Sequence, residues 1–503
     1  MNFKQLKFKK MKNIISLAHI VVASILILSI WWCGKHDMDG MNPMPVPVTE
    51  GNFNTPLVFP SISGANTILT AQNITANVGS LGSVTGYGYT ANNLLGPTIK
   101  VNDGTSVNFK LVNQINEKTN IHWHGLKIPA DMDGHPESVI GSGVSFDYNF
   151  TISQRAAMYW YHPHPHEQTG MQVFKGLAGL LVVNDAEEAT LNLPSDDREL
   201  PLVIQDKRIS GGSIPYAPII LEQMAGYMGH YILVNGIYAP FHNVKTAKYR
   251  VRVLNGSNAR IYNLALSNNA IFTIIGNDGG LLANPQKVNS LLLGPGERAD
   301  LIVDFSQSAI NSEIYLISKT FEHGGTAQGT QEFKIMKFIV TSHVTDNFTV
   351  PNTLSSISVL TESLATKSRN FDIQNDHSGG HGGHGGHGSG MMEHTINGKA
   401  FDMNRIDEIV QNGAIEIWTF DNTKGDEPHP MHLHGVQFQI LNRTGGRGAL
   451  TPLESGWKDT VLVMAGEKVK IIIPFNAHKG IFLFHCHNLE HEDTGMMGQF
   501  KVE

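Results

Sequence analysis

Four pairs of histidines, each spaced His-x-His, dominate the chemistry that this sequence could perform. The pairs are at residues 122 and 124, 162 and 164, 432 and 434, and 485 and 487. Because side chains alternate along a β-strand, a His-x-His pair on a strand presents both imidazoles to the same face. Core histidines seldom occur in twos, and eight imidazoles at this density would repel one another once protonated. The pattern therefore predicts a metal centre.

A second type of metal ligand accompanies the last pair. Cys486 lies between the two histidines of that pair, so on a regular strand its side chain points to the opposite face. With His429 upstream and His491 downstream it forms a set of two imidazoles and one thiolate, and Met496 is available as a weak axial ligand. This set is typical of a blue-copper electron-transfer site. Zinc is disfavoured because no second cysteine is nearby.

The histidine motifs belong to an internal repeat. The sequence HWHG at 122–125 is echoed by HLHG at 432–435, and YWYHPH at 159–164 is echoed by FLFHCH at 482–487. The two motifs occur in the same order in both copies, 40 residues apart in the first (122 to 162) and 53 in the second (432 to 485). The repeat predicts two related domains that flank a middle one. The middle region has no His-x-His pair, so we expect it to contribute no metal ligands.

Short β-strands are the elements that must position these residues. Alternating apolar and polar residues predict strands at residues 249–254, 301–305, 415–420 and 469–475, whereas long stretches of helical period are scarce. We also expect residues 98–112 to form a hairpin around the Asn102-Asp103-Gly104 turn. The predicted fold class is all-β, built from Greek-key sandwiches.

The chain divides into segments of different composition. We place the three sandwiches at residues 55–190, 198–350 and 356–503, with a His/Gly-rich insert at 376–394 in the last one. Residues 34–54 contain many prolines and glycines and are predicted to be a linker.

The N-terminal residues 1–33 are predicted to direct export. Five lysines between residues 4 and 12 precede an apolar run from Ile20 to Trp32, which is the order found in secretory signals. A run of that length is short for a membrane span, although its extension back to Ile14 leaves an uncleaved anchor as an alternative. Cys33 closes the run, so lipid attachment at this cysteine is a further alternative. Export is expected in each case, with a membrane tether in two of them.

Composition excludes two classes of protein. The 503 residues carry a formal net charge of -7, so the surplus of Lys and Arg that binds nucleic acid is missing. The two cysteines are Cys33 and Cys486, which are too far apart and too different in setting to indicate a disulfide-stapled scaffold. Histidine is the unusual residue, with 24 in the chain.

In this order, the motifs resemble the four copper signatures of multicopper oxidases across nearly the whole exported part of the chain. The resemblance implies three consecutive cupredoxin-like domains that hold four copper ions, one of type 1, one of type 2 and two of type 3. The implied ligands are His429, Cys486, His491 and Met496 for type 1, His122 and His432 for type 2, and His124, His162, His164, His434, His485 and His487 for type 3.

The resemblance also implies a reaction. A substrate near the surface would give up single electrons, and four of them would reduce O₂ to two waters. Asp133 and Glu492 match carboxylates that the family uses to deliver protons, a role that needs hydrogen-bond reach to water. For Asp133 the alternative is a turn-forming residue before Gly134.

Within the family, the blocks at 253–260, 277–282 and 491–497 resemble bacterial periplasmic cuprous oxidases that confer copper tolerance, and bacterial laccases are close to them. Those cuprous oxidases carry a methionine-rich insert where this chain has a Gly-Gly-His repeat. The candidate accessory copper ligands of this insert are His377, His381, His384, His387, Met391, Met392 and His394. Imidazoles bind borderline cations such as Cu²⁺ and thioethers bind Cu(I). The alternative is a flexible loop whose histidines do little.

Three functions remain open at this point. The first is a periplasmic or outer-envelope oxidase that converts Cu(I) to Cu(II) with O₂ as the electron acceptor. The second is a laccase-type oxidase of phenols or other organic reductants. The third is a copper-binding protein without catalytic activity.

Overall fold

A computed structural model describes residues 46–322, 328–373 and 393–503. Within these ranges the predicted all-β class is confirmed, with thirty-one strands and four short α-helices. None of the helices in these ranges has the length and apolar character needed to cross a membrane. The predicted export segment, most of the predicted linker, and the insert up to Met392 lie outside the described residues.

The first sandwich is built from strands β2 to β10. They are β2 (Ile62–Ser63), β3 (Ile68–Asn77), β4 (Ser83–Gly88), β5 (Thr98–Asn102), β6 (Ser106–Asn113), β7 (His122–His124), β8 (Ser145–Thr151), β9 (Ala157–His162) and β10 (Gly179–Asn184), with helices α1 (Thr169–Lys175) and α2 (Ala186–Ala189). The preceding strand, β1 (Thr55–Pro56), belongs to the middle sandwich. One sheet has the order β2-β5-β10-β9-β7 and the other β4-β3-β6-β8. Aromatic side chains fill the space between them, with the rings of Phe109 and Trp123 4.7 Å apart.

The predicted hairpin at residues 98–112 is wrong. Both strands exist, but β5 pairs with β2 and β10, whereas β6 pairs with β3 and β8 in the other sheet. The turn at Gly104, whose φ is 79°, therefore carries the chain from one sheet to the other. Val101 and Val107 are both buried in the same core because the two strands face each other across the sandwich.

The middle sandwich contains the largest buried core. Its strands are β11 (Glu199–Lys207), β12 (Tyr231–Val234), β13 (Ile237–Tyr238), β14 (Pro240–Lys245), β15 (Lys248–Asn255), β16 (Tyr262–Leu266), β17 (Phe272–Asn277), β18 (Gly280–Val288), β19 (Leu291–Leu293), β20 (Arg298–Asp304), β21 (Glu313–Ser318) and β22 (Phe333–Ser342), with helix α3 (Ile220–Ala225). The sheet orders are β13-β12-β11-β15-β20-β17-β18 and β1-β14-β22-β21-β16-β19. Strand β1 pairs in parallel with β14, so Thr55 and Pro56 belong to this sandwich.

The last sandwich repeats the plan of the first. Its strands are β23 (Lys367–Asp372), β24 (Glu408–Val410), β25 (Ile415–Asp421), β26 (His429–Leu433), β27 (Gln439–Gly445), β28 (Thr460–Val463), β29 (Glu467–Pro474), β30 (Gly480–Cys486) and β31 (Met497–Val502), with helix α4 (Leu489–Asp493). The sheet orders are β23-β25-β29-β27 and β24-β31-β30-β26-β28. Single 3-10 turns occur at Ala130–Met132, Asp196–Arg198, Glu362–Leu364 and Pro452–Glu454.

The internal repeat has the same strand pairing in both copies. In the first sandwich β7 is antiparallel to β9, with His122 opposite His162. In the last one β26 is antiparallel to β30, with His432 opposite His485. Each pair of neighbouring strands thus brings two His-x-His motifs side by side, because directly opposed residues project from the same face of a sheet.

Candidate metal centre

The eight paired histidines lie together in one buried group, which we call the histidine cluster. It joins the first and last sandwiches, since Nε2 of His122 lies 3.3 Å from Nε2 of His432. Nε2 of His485 lies 3.1 Å from Nε2 of His434 and 3.3 Å from Nε2 of His164. All of these side chains are excluded from solvent. Histidines from both copies of the repeat therefore form a single site.

The remaining three imidazoles complete the cluster. The ring centroid of His487 lies 4.9 Å from that of His124 and 5.3 Å from that of His162. A ring nitrogen from each of His122, His124 and His162 falls within 4.8 Å of the other two. All four pairs singled out in the sequence thus meet at one place.

Backbone carbonyls determine which ring nitrogen faces the centre. Nδ1 of His122 donates to the carbonyl of Asp133 at 2.8 Å, and Nδ1 of His432 donates to the carbonyl of Asp459 at 2.8 Å. Nδ1 of His162 donates in the same way to the carbonyl of the next residue. A neutral imidazole that donates from Nδ1 keeps a lone pair on Nε2. These three rings are therefore oriented as metal ligands.

Several ring nitrogens in the cluster lack a protein partner. Nδ1 of His124, Nε2 of His162 and both nitrogens of His487 make no hydrogen bond to the described residues. Burial, reinforced by the neighbouring imidazoles, lowers the pKa well below its usual range for His124, His162, His164, His432, His434 and His487. Buried polar atoms without a partner are costly. Neutral, converging nitrogens of this kind fit a transition-metal ion, including copper.

Asp133 and Glu492 lie directly behind the imidazoles. Oδ2 of Asp133 accepts a hydrogen bond from Nδ1 of His434 at 2.7 Å. Oε2 of Glu492 lies 3.2 Å from Nδ1 of His485, and its Oε1 lies 3.5 Å from Nδ1 of His164. Both carboxylates are buried, and such contacts hold a ligand in one orientation.

The loop around Asp133 also contains the predicted turn. The next residue, Gly134, has φ of 79°, and a Cβ there would lie 2.0 Å from the carbonyl oxygen of Ile121. Asn120 donates to the carbonyl of Gly134 at 2.8 Å. The turn geometry and the contact with His434 are both present, so the two interpretations of Asp133 are compatible.

Cys486, His429 and His491 form a second buried group, which we call the cysteine site. Sγ of Cys486 lies 3.5 Å from Nδ1 of His429 and 3.6 Å from Nδ1 of His491, and these two nitrogens are 3.1 Å apart. Burial raises the pKa of the Cys486 thiol well above its usual range. A thiolate here therefore needs a bound cation, which is the role of a metal in such a site.

The surroundings of the cysteine site select the nitrogen that faces the sulfur. Nε2 of His491 donates to the carbonyl of Met224 in α3, which leaves Nδ1 directed at Cys486. Burial lowers the pKa of His491 to about 3. Met496 is buried beside the site, where its N–H donates to the carbonyl of His491 and its carbonyl accepts from the N–H of Cys486. The residues predicted for type 1 copper are thus brought together.

Two acidic residues at these sites are missed by the sequence motifs. Oδ1 of Asp459 lies 3.1 Å from Nε2 of His124, which therefore donates to it and keeps its lone pair on Nδ1. Oε2 of Glu427 lies 3.4 Å from Nε2 of His491. One signal was available for Asp459, which follows Lys458 and precedes an apolar strand. Charged side chains are almost never fully buried unless they are paired.

Of the proposed accessory ligands, His394 alone lies within the described residues. Its imidazole stacks on that of His491, with ring centroids 4.1 Å apart and planes inclined by 18°. Its Nδ1 is 2.6 Å from Oγ1 of Thr494. The downstream end of the His/Gly-rich insert is therefore fixed against the cysteine site.

The chain matches known proteins along most of its length. Three family models described as multicopper oxidase match residues 72–188, 201–339 and 371–503. The chain is 37% identical over 422 residues to "Multicopper oxidase mco" of Staphylococcus haemolyticus, which covers 82% of each chain. It is 34% identical over 417 residues to "Laccase" of Bacillus subtilis, covering 76% of this chain and 79% of the laccase.

A solved structure has the same architecture. The McoA multicopper oxidase of the hyperthermophile Aquifex aeolicus superposes with a TM-score of 0.81 at 34% identity, covering 91% of this chain and 100% of that one. This likeness confirms the cupredoxin-like sandwiches, and the clustered imidazoles are groups that could hold metal ions. The chain belongs to the multicopper oxidase family.

Proposed function

We propose that this protein is a cuprous oxidase, which oxidises Cu(I) to Cu(II) and passes four electrons to O₂ to form water. Membership of the family implies a copper-dependent oxidoreductase that uses O₂. The reducing substrate is the part of the proposal that goes beyond family membership.

The proposal assigns four copper ions to the two sites. The type 1 ion takes His429, Cys486, His491 and Met496. The type 2 ion takes His122 and His432, and the type 3 pair takes His124, His162, His164, His434, His485 and His487. Support comes from the 3.3 Å approach of the two type 2 nitrogens and from the thiolate set at the cysteine site.

When bound, copper supplies the one-electron redox chemistry, and the protein supplies binding, orientation and electrostatics. Cys486 is covalently flanked by His485 and His487, so a few bonds of one strand connect the cysteine site with the histidine cluster. We assign proton delivery to Asp133 and Glu492, whose buried carboxylates contact the ligand imidazoles. Oδ1 of Asp133 makes no hydrogen bond to the described residues and lies 3.5 Å from Nδ1 of His122.

The stacking of His394 on His491 is the observation that carries the choice of substrate. His394 ends a segment whose sequence supplies four Gly-spaced histidines and two methionines, donors that bind copper in both of its oxidation states. The buried carboxylate of Glu427, 3.4 Å from the same imidazole, adds negative charge that attracts a cation. A copper ion held by the segment would therefore be released beside the cysteine site.

Oxidation of phenols or other organic reductants is the second candidate function. It is supported by the similarity to the laccase of Bacillus subtilis, which extends over three quarters of this chain. The third candidate, copper binding without catalysis, predicts no O₂ consumption with any reductant.

Deletion of residues 376–390 separates the first two functions. We expect the deletion to lower kcat/KM for Cu(I) about tenfold or more and to leave kcat/KM for a phenol within about twofold. A tenfold loss corresponds to about 1.4 kcal/mol of transition-state stabilisation. A matched variant replaces His377, His381, His384 and His387 by Gln, which keeps the length of the insert. Equal loss of both activities, or unchanged Cu(I) oxidation, would contradict copper recruitment.

We further propose that the protein acts outside the cytoplasmic membrane. In residues 1–33, lysines precede an apolar run, which is the order found in secretory signals. Fractionation of cells that produce the full chain tests the location. N-terminal sequencing of the product distinguishes a cleaved signal from a retained anchor or a lipid on Cys33.

A further inference from the structure

A loop of the middle sandwich reaches the histidine cluster, although none of the eight imidazoles comes from that sandwich. Gly296, in the turn before β20, has φ of 82°. A Cβ at this position would lie 3.1 Å from two ring carbons of His487 and 3.2 Å from Cε1 of His124. The backbone of the loop therefore forms part of the wall against which two of the imidazoles rest.

Arg298, two residues later, is fully hydrogen-bonded and connects all three sandwiches. Its Nε donates to the carbonyl of Met158 in the first sandwich at 3.0 Å. Its Nη1 and Nη2 donate to the carbonyls of Gly296 and Asp278 in the middle sandwich. The same two nitrogens donate to the carboxylate of Asp459 in the last sandwich at 2.6 and 2.5 Å. A guanidinium has five N–H donors, and here each of them has an acceptor.

Asp459, held in place by Arg298, accepts hydrogen bonds from two imidazoles of the cluster. Its carboxylate accepts from Nε2 of His124 at 3.1 Å, and its backbone carbonyl accepts from Nδ1 of His432 at 2.8 Å. The two rings stack with centroids 3.7 Å apart and planes inclined by 11°. Asp459 thereby determines which nitrogen of each ring faces the centre. Arg298 holds Asp459 by a bidentate ion pair, a geometry that the planar guanidinium of arginine provides and the ammonium group of lysine does not.

A second group of ion pairs lies beside Arg298 and Asp459. Nζ of the buried Lys458 lies 2.8 Å from Oδ2 of Asp278, whose Oδ1 accepts from the N–H of Arg298. Oε1 of Glu297 lies 3.2 Å from the same ammonium. The residues that precede Arg298 and Asp459, Glu297 and Lys458, are thus also paired across the boundary between the middle and last sandwiches.

We propose that Arg298 and Gly296 are positioning residues of the histidine cluster, so that this loop of the middle sandwich controls retention of the copper ions there and does not act on the cysteine site. The proposal rests on the ligand assignment made above. The middle sandwich would thus support the histidine cluster although it contains no His-x-His pair.

The test compares copper-loaded Arg298→Lys and Gly296→Ala with the unsubstituted protein and with Arg260→Lys. Arg260 is a matched control because it is a buried arginine of the same sandwich, paired with Asp206 at 3.0 Å. Metal analysis gives the copper content, electron paramagnetic resonance gives the type 2 signal, and the blue absorption reports the cysteine site. Competition with a chelator measures the affinity for copper, and thermal unfolding monitors the fold.

We expect both variants to bind copper at the histidine cluster about 10- to 100-fold more weakly, the usual effect of losing a contact behind a metal ligand, with the blue absorption retained. The proposal would be overturned if the variants bound copper at the histidine cluster as tightly as the unsubstituted protein, or lost no more affinity than Arg260→Lys. It would also be overturned if the cysteine site lost copper to the same extent. If Arg298→Lys does not fold, Gly296→Ala decides by the same criteria. An unsubstituted protein that shows no type 2 signal would instead refute the ligand assignment.

Discussion

His122 and His432 are 310 residues apart in the sequence, yet their Nε2 atoms lie 3.3 Å from each other. One residue belongs to the first sandwich and the other to the last. Because both rings donate from Nδ1 to backbone carbonyls, the facing nitrogens both carry lone pairs. Without a cation this approach is repulsive, so a metal ion bound between the two nitrogens would contribute to the association of the two sandwiches.

Removal of copper is therefore expected to lower the thermal stability of the protein. A ligand present at about 1,000 times its Kd stabilises the folded state by about 4 kcal/mol. Differential scanning calorimetry of the copper-loaded and chelator-treated forms measures the change. Equal transition temperatures would show that the sandwiches associate without the metal, and re-addition of copper to the treated form is the control for irreversible damage.

Cys486→Ser should abolish the blue absorption of the protein. A hydroxyl is a poorer copper ligand than a thiolate. Serine has nearly the same size as cysteine, so the fold should be retained. Absorption spectra and metal analysis of the variant are the measurement, with loss of one copper ion per chain expected. A persistent blue band would refute the assignment of Cys486. Met496→Leu is a matched variant that should keep the thiolate and shift the band without removing it.

Asp133→Asn should lower the rate of O₂ consumption about 100-fold while copper is retained. The amide preserves the size of the side chain but does not hold an exchangeable carboxyl proton, and general acid–base groups contribute about 10²- to 10⁴-fold. Oxygen-electrode assays with metal analysis on the same sample make the measurement. Loss of copper in proportion to activity would mean that the carboxylate only orients His434. Glu492→Gln is the parallel variant on the opposite side of the cluster.

His394→Ala should reduce Cu(I) oxidation more than phenol oxidation, by about tenfold in the ratio of the two kcat/KM values. The reason is that the imidazole stacks on His491 at the end of the insert, where a copper ion from the insert would arrive. His394→Phe preserves the stacked ring without its nitrogen donors. If phenylalanine restores Cu(I) oxidation, the residue acts by packing and not as a copper donor.

Glu188→Gln should destabilise the protein at neutral pH and much less in acid. Burial by itself would raise the pKa of Glu188, but ion pairs with Arg252 and Arg250 lower it to about 2. Because the folded pKa lies below the unfolded value, the stabilisation is complete above about pH 4.5 and is lost as the pH falls towards 2. A shift of this size corresponds to at most about 3 kcal/mol.

Urea unfolding of the metal-free forms at pH 7 and pH 3 measures this effect without a contribution from copper release. Glu313→Gln, which removes an exposed pair with Lys337, is the control and should change the midpoint far less, because solvent screens such pairs. A difference between Glu188→Gln and the unsubstituted protein that is equally large at both pH values would contradict the assignment to charge.

Local patterns in the sequence were sufficient to predict which side chains are candidate donors of the two sites, and the structure brings these side chains together. Side chains alternate with a period of two along a strand, so His-x-His pairs and the cysteine between His485 and His487 indicate their own orientation. The repeat extends this reasoning to two related domains that each contribute two His-x-His pairs. The same local reasoning failed at residues 98–112, because a tight turn looks alike whether it joins two paired strands or carries the chain between sheets.

Contacts between distant parts of the chain were decided by the tertiary structure alone. No spacing rule predicts that Gly296 and Arg298 of the middle sandwich support His124, His487 and Asp459, or that His394 stacks on His491. These contacts depend on how the three sandwiches pack, and packing is determined by shape and charge complementarity across whole surfaces. The sequence alone therefore determines which imidazoles and which thiol come together as candidate metal donors, whereas only the packing of the sandwiches decides how those side chains are held, since their supporting residues lie far away in the chain.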